Sequence, residues 1–273
     1  QRKDRPPQQR HIAGARHQSA AAGAHKTETG GVFADFAAGL RWHKVLARKG
    51  WAAPTWPKEH GGTGWSATQR YIFARECIAA DAPRIFAMGI RMVGPVIMKF
   101  GTPEQKAKYL PRIVSGDIVF CQGYSEPGSG SDLASLKTRA VRDGDEYVIN
   151  GTKIWTTGAH VADHMFCLVR TSTEGKAQDG ISFVLIDSMK TPGLSVAPIM
   201  TLAGDHEVNQ VFFDNVRIPA SNLLGKEGKG FAQMMTKLSQ ERLAQAIRSA
   251  VVTETVIDWT LQYTAERSAF GQK

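Results

Sequence analysis

Apolar residues recur every three or four positions between Phe36 and Ser115, every second position from Asp117 to about Ile218, and at the helical spacing again beyond Gly228. In "DFAAGLRWHKVLARKG" the positions Phe36, Leu40, His43, Val45 and Leu46 share a face, and Gly50 marks the stop. "GWAAPTWPKEHGGTGW" is punctuated by proline and glycine and is predicted to be a loop whose tryptophans need cover. Two further helices are predicted over 67–80 and 84–99. "TPEQKAKYLPRIVSG" opens a fourth, with Thr102 as N-cap and Pro103 at the first helical position.

The segments "DIVFCQGY", "KTRAVRD", "EYVIN", "TKIWTT", "HMFCLVRT", "ISFVLID", "LSVAPI" and "NQVFFDNVRI" alternate as strands do. Asp143-Gly144 and Asn150-Gly151 are predicted as two-residue hairpin turns, which makes the sheet antiparallel. From Gly228 onward one helix approaching 40 residues is predicted, and its apolar stripe needs partners. The fold class is therefore α+β and multidomain. Residues 36–116 form an N-terminal helical domain, 117–225 a central antiparallel β-domain, and 226–273 the first helix of an incomplete C-terminal bundle. Residues 1–35 lack an apolar period and are expected to be a disordered extension, with a transit peptide as the alternative.

Composition changes this picture little. Hydrophobic residues make up 42% of the 273, as in ordinary globular chains. No apolar run is long enough to span a bilayer. Residues 1–26 supply +5 of the formal charge of +9, and no basic face with interleaved aromatics follows, so nucleic acid is not an expected partner. Three separated cysteines, Cys77, Cys121 and Cys167, give neither a disulfide framework nor a metal cluster. A reducing compartment is expected: cytoplasm, or alternatively the mitochondrial matrix.

The densest chemistry lies in "CQGYSEPGSGSDLASLKTRA", residues 121–140. A nucleophilic serine, a phosphate cradle, a flavin cradle and a plain turn all suit such a stretch. Gly123-Tyr124-Ser125-Glu126-Pro127 approaches the G-x-S-x-G elbow, but proline replaces the last glycine and antiparallel strands are expected around it. Gly128-Ser129-Gly130 lacks the third glycine of a dinucleotide fingerprint. Glycines still let backbone N–H groups approach an anion, and serines add donors. His160 and His164 are four apart without the glutamate of a zinc helix, so no metal site is assigned. Glu241 lies three residues after Leu238 and seven after Met234, beside the apolar stripe. It is either desolvated for a purpose or paired with Arg242, Lys237 or Gln245.

The ordered set "YSEPGSGSD", "NGTKIWTT", "GDHEVNQVFFDNVRIP", "NLLGKEGKGF" and "ERSAFGQ", with "GWAAPTWPKEHGG" and "FGTPEQKAKYLPRI" before it, resembles the acyl-CoA dehydrogenases from about residue 36 to 273. The wording is most similar to the bacterial branch with the pimeloyl-CoA dehydrogenase large subunit and steroid side-chain enzymes, cut short at the C-terminus. The resemblance implies FAD-dependent α,β-dehydrogenation of an acyl-CoA thioester, with electron-transferring flavoprotein as oxidant and a homo-oligomer or heteromer as assembly. A non-catalytic fragment or subunit of such an enzyme is the alternative.

It also implies roles. Gln122, Tyr124, Ser125, Gly130 and Ser131 would line the flavin, Ser125 at its N1/O2 edge and Ser131 near phosphate or substrate. Trp155 would cover the isoalloxazine, with Thr156 beside it and the Thr157 hydroxyl at N5. Arg267, Phe270 and Gln272 would reach the FAD of a neighbouring subunit, and Arg242 would lie near the thioester. The catalytic base is a glutamate at one of two family positions. One lies beyond Lys273. The other precedes the FAD-binding arginine by 26 residues, as Glu241 precedes Arg267. Tyr124 departs from the family pattern, which has an aliphatic residue there.

Overall fold

The computed structural model describes residues 36–86 and 88–272; the extension expected over 1–35 lies outside them. Helix α1 (Phe36–Arg48) buries Gly39, His43 and Leu46. Helix α2 (Ala67–Ala79) starts from a capping box between Ser66 and Gln69. The helix predicted over 84–99 begins later, as a π-turn over Met88–Val93 that leads into α3 (Gly94–Phe100). Helix α4 (Pro103–Ser115) has Thr102 as N-cap in a capping box with Gln105, and Gly116 closes it at φ +73°. The loop tryptophans find their cover. Trp56 is buried and donates Nε1–H to Ile90 O at 2.8 Å, while Trp51 packs with Trp65 and Phe73.

Seven strands follow: β1 (Phe120–Gly123), β2 (Arg139–Asp143), β3 (Glu146–Lys153), β4 (His164–Arg170), β5 (Ile181–Ile186), β6 (Leu194–Met200) and β7 (His206–Pro219). Three expectations need correction. The sheet is mixed, because β1 runs parallel to β4, with Phe120 opposite His164, and β2 meets β4 in parallel at Arg170. The hairpin between β2 and β3 turns on Gly144-Asp145 rather than Asp143-Gly144, since Asp143 already pairs with Glu146 and Gly144 carries the positive φ, +58°. Asn150-Gly151 makes no turn. The strand continues through it against β7, with the register slipping between Ile149 and Gly151. Asn150 and Asn215 join across that slip, Asn150 Oδ1 accepting from Asn215 N at 2.8 Å.

Strands β4 and β5 are buried on both faces, which is why their sequences are mostly apolar without strict alternation. Phe166, Leu168, Ile181, Phe183 and Leu185 face the helices, among Trp56, Ile97, Tyr109 and Ile113. Met165, Cys167, Val169, Val184 and Ile186 face the opposite way, onto Tyr147 and Ile149 of β3 and Val211 and Phe213 of β7. The sheet thus curls over its own second core. A 37-residue helix, α5 (Gly230–Glu266), leaves the sheet beside β5. Its first turns bury Gln233 and Met234.

Candidate active site

The crowded segment after β1 is a built loop. Glu126 and Ser129 exchange both backbone hydrogen bonds, at 2.9 and 3.0 Å, around Pro127-Gly128. Ser129 Oγ meets Ser135 Oγ at 2.8 Å in the 3-10 turn Leu133–Ser135 that returns the chain to β2. No helix follows Ser125, so the elbow of a serine hydrolase is excluded on this ground even though β1 has a parallel neighbour.

Beneath the loop lies an ion pair that sequence reasoning missed. Lys153, wholly buried, donates to Glu126 Oε1 at 2.8 Å and to Tyr124 O at 3.1 Å. Glu126 also accepts from the backbone N–H of Lys137 at 2.6 Å and of Thr138 at 2.8 Å. Burial opposes its ionisation, but the ammonium and these donors outweigh burial and hold the carboxyl below its ordinary range. One signal was available. Lys153 shares the inward parity of Tyr147 and Ile149, where a lysine needs an acid.

Ser125 is brought to the second motif through the backbone: Ile154 N–H donates to Ser125 O at 2.9 Å. The next residues are clamped on their other side by β7. Thr156 and Asn209 exchange backbone bonds at 2.9 and 3.1 Å, and Asn209 Nδ2 donates again to Thr156 O at 3.0 Å. Trp155 is held in the left-handed region at φ +58° and is 60% exposed. A left-handed backbone at a bulky residue is strained and persists only where its surroundings hold it, as the Thr156–Asn209 bonds do here. Thr156 Oγ1 is buried without a partner. Added Cβ atoms at Gly128 and Gly130 would meet nothing within 4 Å, so the loop fronts open space there. Gly130 and Ser131 are exposed, Gln122 and Thr157 partly so. An outward aromatic platform, an orphaned donor and an open glycine loop fit a flat, hydrogen-bonding, phosphate-bearing cofactor such as FAD.

Glu241 is partly buried on α5, and desolvation raises its carboxyl above the ordinary range, with Lys237 opposing that rise. Burial pushes up the ionisation of the Tyr124 hydroxyl, and the Glu241 charge adds to that rise; Tyr124 packs in one apolar cluster with Leu238, one helical turn before Glu241. Arg242 is exposed. The motif beyond α5 lies apart from this cluster. Arg267 caps the helix and stacks on Tyr263 at 5.7 Å, Phe270 is fully exposed at φ +55°, and Gln272 pairs with Ala269 in a tight turn. His160 and His164 part company: His160 stacks on His206 at 4.0 Å, while His164 is buried against Phe120. Among the described residues no group of three His, Cys, Asp or Glu could hold a metal ion. No described helix is long and apolar enough to cross a membrane. A cavity of about 780 Å³ between α1 and α4, lined by Lys44, Arg48, His60, Lys106 and Leu110, shares no residue with this site.

Comparison with known proteins agrees with the architecture. Residues 16–117 match the family model "Acyl-CoA dehydrogenase, N-terminal domain", 121–216 the middle domain and 228–273 the C-terminal domain. The chain belongs to the acyl-CoA dehydrogenase family. It is 41% identical over 212 residues to the acyl-CoA dehydrogenase IpdE1 of Mycobacterium tuberculosis, covering 77% of this chain and 55% of that protein. It resembles the solved Tcur3481-Tcur3483 steroid ACAD at TM-score 0.75 and 36% identity, over 98% of this chain and 70% of that one. The ChsE4-ChsE5 complex of M. tuberculosis gives 0.68 and 37%, over 88% and 61%. The chain spans about half the length of the curated relatives it matches.

Proposed function

We propose that this chain carries the flavin-facing part and the catalytic base of an FAD-dependent dehydrogenase that introduces an α,β double bond into an acyl-CoA thioester. The carrying observation is convergence. Ile154 N–H donates to Ser125 O, and Tyr124 of the same loop packs in one apolar cluster with Leu238, one turn before Glu241 on α5, which supports reading the three as parts of one site. Glu241 takes the proton alpha to the thioester carbonyl, a task suited to a carboxylate whose proton affinity burial has raised. FAD, when bound, supplies the hydride acceptor. Ser125 and Thr157 offer hydroxyls to its polar edge, and Trp155 covers its face. Ser131 and Arg242 serve the substrate side. Arg267, Phe270 and Gln272, exposed at the far end of α5, serve the flavin of a neighbouring subunit, for whose pyrophosphate an arginine fork is suited. The oxidant of the reduced enzyme is an electron-transferring flavoprotein.

Glu241→Gln in the full chain should abolish flavin bleaching by acyl-CoA while the protein stays yellow. Retained bleaching removes Glu241 from the role. A second reading, in which this chain supplies part of a flavin site within a heteromer, is favoured by the exposed apolar residues of α5. Under that reading the purified chain is colourless until its partner is added.

A further inference from the structure

Asn209, wholly buried on β7, directs three hydrogen bonds at Thr156. Its backbone N–H and its side-chain Nδ2 both donate to Thr156 O, at 3.1 and 3.0 Å, and its own carbonyl accepts from Thr156 N–H at 2.9 Å. Two exposed histidines meet the same amide. His160 and His206 stack at 4.0 Å and 26°; His160 Nδ1 lies 3.1 Å from Asn209 Nδ2, and His206 Nε2 lies 2.7 Å from Asn209 Oδ1. Gly158 N–H donates to Glu207 O at 2.9 Å, which ties the segment bearing His160 to the strand bearing His206. A carbonyl only accepts, so Thr156 O fixes which end of the amide is nitrogen. The amide nitrogen has one hydrogen left for His160 Nδ1, and the amide oxygen receives the Nε2–H of His206. Each ring therefore carries its proton on Nε2. A proton added at His160 Nδ1 sets two donors face to face, and turning the amide to receive it points oxygen at Thr156 oxygen.

Resting on the reading of Trp155 as the flavin's cover, we propose that Asn209 is the positioning residue of that cover and that the His160–His206 stack sets its amide, so that a proton on His160 Nδ1 loosens Trp155. Trp155 directly precedes Thr156, and its left-handed backbone keeps its shape only while its neighbour is held. The titratable group facing His160 is His206. The charged residues flanking the two in the chain are Asp205, which accepts from Thr201 Oγ1, Glu207, and Asp163, which accepts from Val119 N–H at 2.9 Å. Desolvation, and then the stacked His206, hold the proton affinity of His160 below the ordinary 6.5 against the contact with Asn209. The clamped form is the one present at neutral pH, and release belongs to acid.

For the test, the full chain is labelled with 5-fluorotryptophan and ¹⁵N-histidine, and Trp155→Phe and His160→Gln identify the resonances. At pH 8 both His160 and His206 should show the Nε2–H form. On acidification the Trp155 ¹⁹F signal should move with the midpoint of His160. His160→Gln keeps an oxygen acceptor for the Asn209 amide but takes no proton, and should leave the Trp155 signal flat across the range. Asn209→Asp removes the donor to Thr156 O, and the Trp155 signal should sit at its acid position at every pH. A Trp155 signal that ignores the His160 titration, or that still follows pH in His160→Gln, overturns the proposal, as does an Nδ1–H form of His160. Should Asn209→Asp not fold, His160→Gln, at an exposed position, decides alone. In the FAD-loaded protein acid should quicken FAD loss about tenfold, as expected for one hydrogen bond to a buried group, with the midpoint of His160. If the ¹⁹F signal titrates with His160 and FAD loss does not, the reading of Trp155 as the flavin's cover fails while the Asn209 latch stands; if neither titrates, the latch itself fails.

Discussion

Lys153 and Glu126 decide whether the flavin-facing loop has a fixed shape. A charge pair this deeply buried gains from its geometry only while both partners and their hydrogen bonds are present. Lys153→Met leaves Glu126 ionised and enclosed, and should lower stability by about 3–5 kcal/mol in urea unfolding. The double variant Lys153→Met/Glu126→Gln should recover part of that loss. The pH dependence has a definite sign. Because the folded carboxyl lies below its ordinary 4.5, its contribution is complete above that value and is lost as pH falls through the folded one. Glu241 behaves oppositely. Its carboxyl is raised by desolvation, so ionising it opposes folding, and Glu241→Gln should stabilise the protein at neutral pH but not in acid. A comparison of urea midpoints at the two pH values checks both signs. Ser125, Trp155 and Glu241 were singled out in the sequence by ordered motifs and spacing. Lys153 was not, since a lysine in a strand pattern ordinarily points outward and only its parity with Ile149 speaks for burial.

Most of the secondary elements were legible because each carries its own period and punctuation: Thr102-Pro103 opens α4 and the apolar spacing after Gly228 foretells α5. Pairing was less so. Asn150-Gly151 has the composition of a hairpin turn, yet β3 runs on, because Phe212 and Phe213 of β7 offer continued pairing to Gly151 and Thr152. The parallel contact of β1 with β4 was hidden for a different reason: a 40-residue excursion through the loop and the β2–β3 hairpin separates them, and local pattern carries no signal at that distance. Where α5 meets the sheet, the decisive residue is Gly230. A Cβ there would lie 2.5 Å from Phe183 N and Ser182 C, both backbone atoms that cannot swing aside. Gly230→Ala should therefore lift the start of α5 off β5 and cost about 1–3 kcal/mol. Since Glu241 rides on the same helix, the variant should also lose more bleaching rate than its stability loss explains, by stopped-flow against a urea curve.

Beyond Glu241 the long helix leaves its own chain. At about 1.5 Å per residue it extends roughly 55 Å. The elements it packs against most are β5 and α3. Further along, Leu243, Ile247, Val252, Val256, Trp259, Leu261 and Tyr263 are all about half exposed or more. Val252, Val256, Trp259 and Tyr263 recur at four, three and four, which lines them along one face. An aqueous helix with such a stripe gains by burying it against another helix, at roughly 25 cal/mol per Å² covered. The same end of the helix holds Arg267, Phe270 and Gln272, whose proposed flavin belongs to a neighbour. Assembly and cofactor retention are then one event. Val256→Glu with Trp259→Lys should convert a dimer or larger species into a monomer by light scattering. It should bleed FAD from the protein although every residue of the Ser125 loop is untouched, and Arg267→Ala should bleed FAD without changing the mass. A monomer that stays yellow through gel filtration would show that one chain closes its own flavin site, and the exposed motif after Glu266 would then need another role.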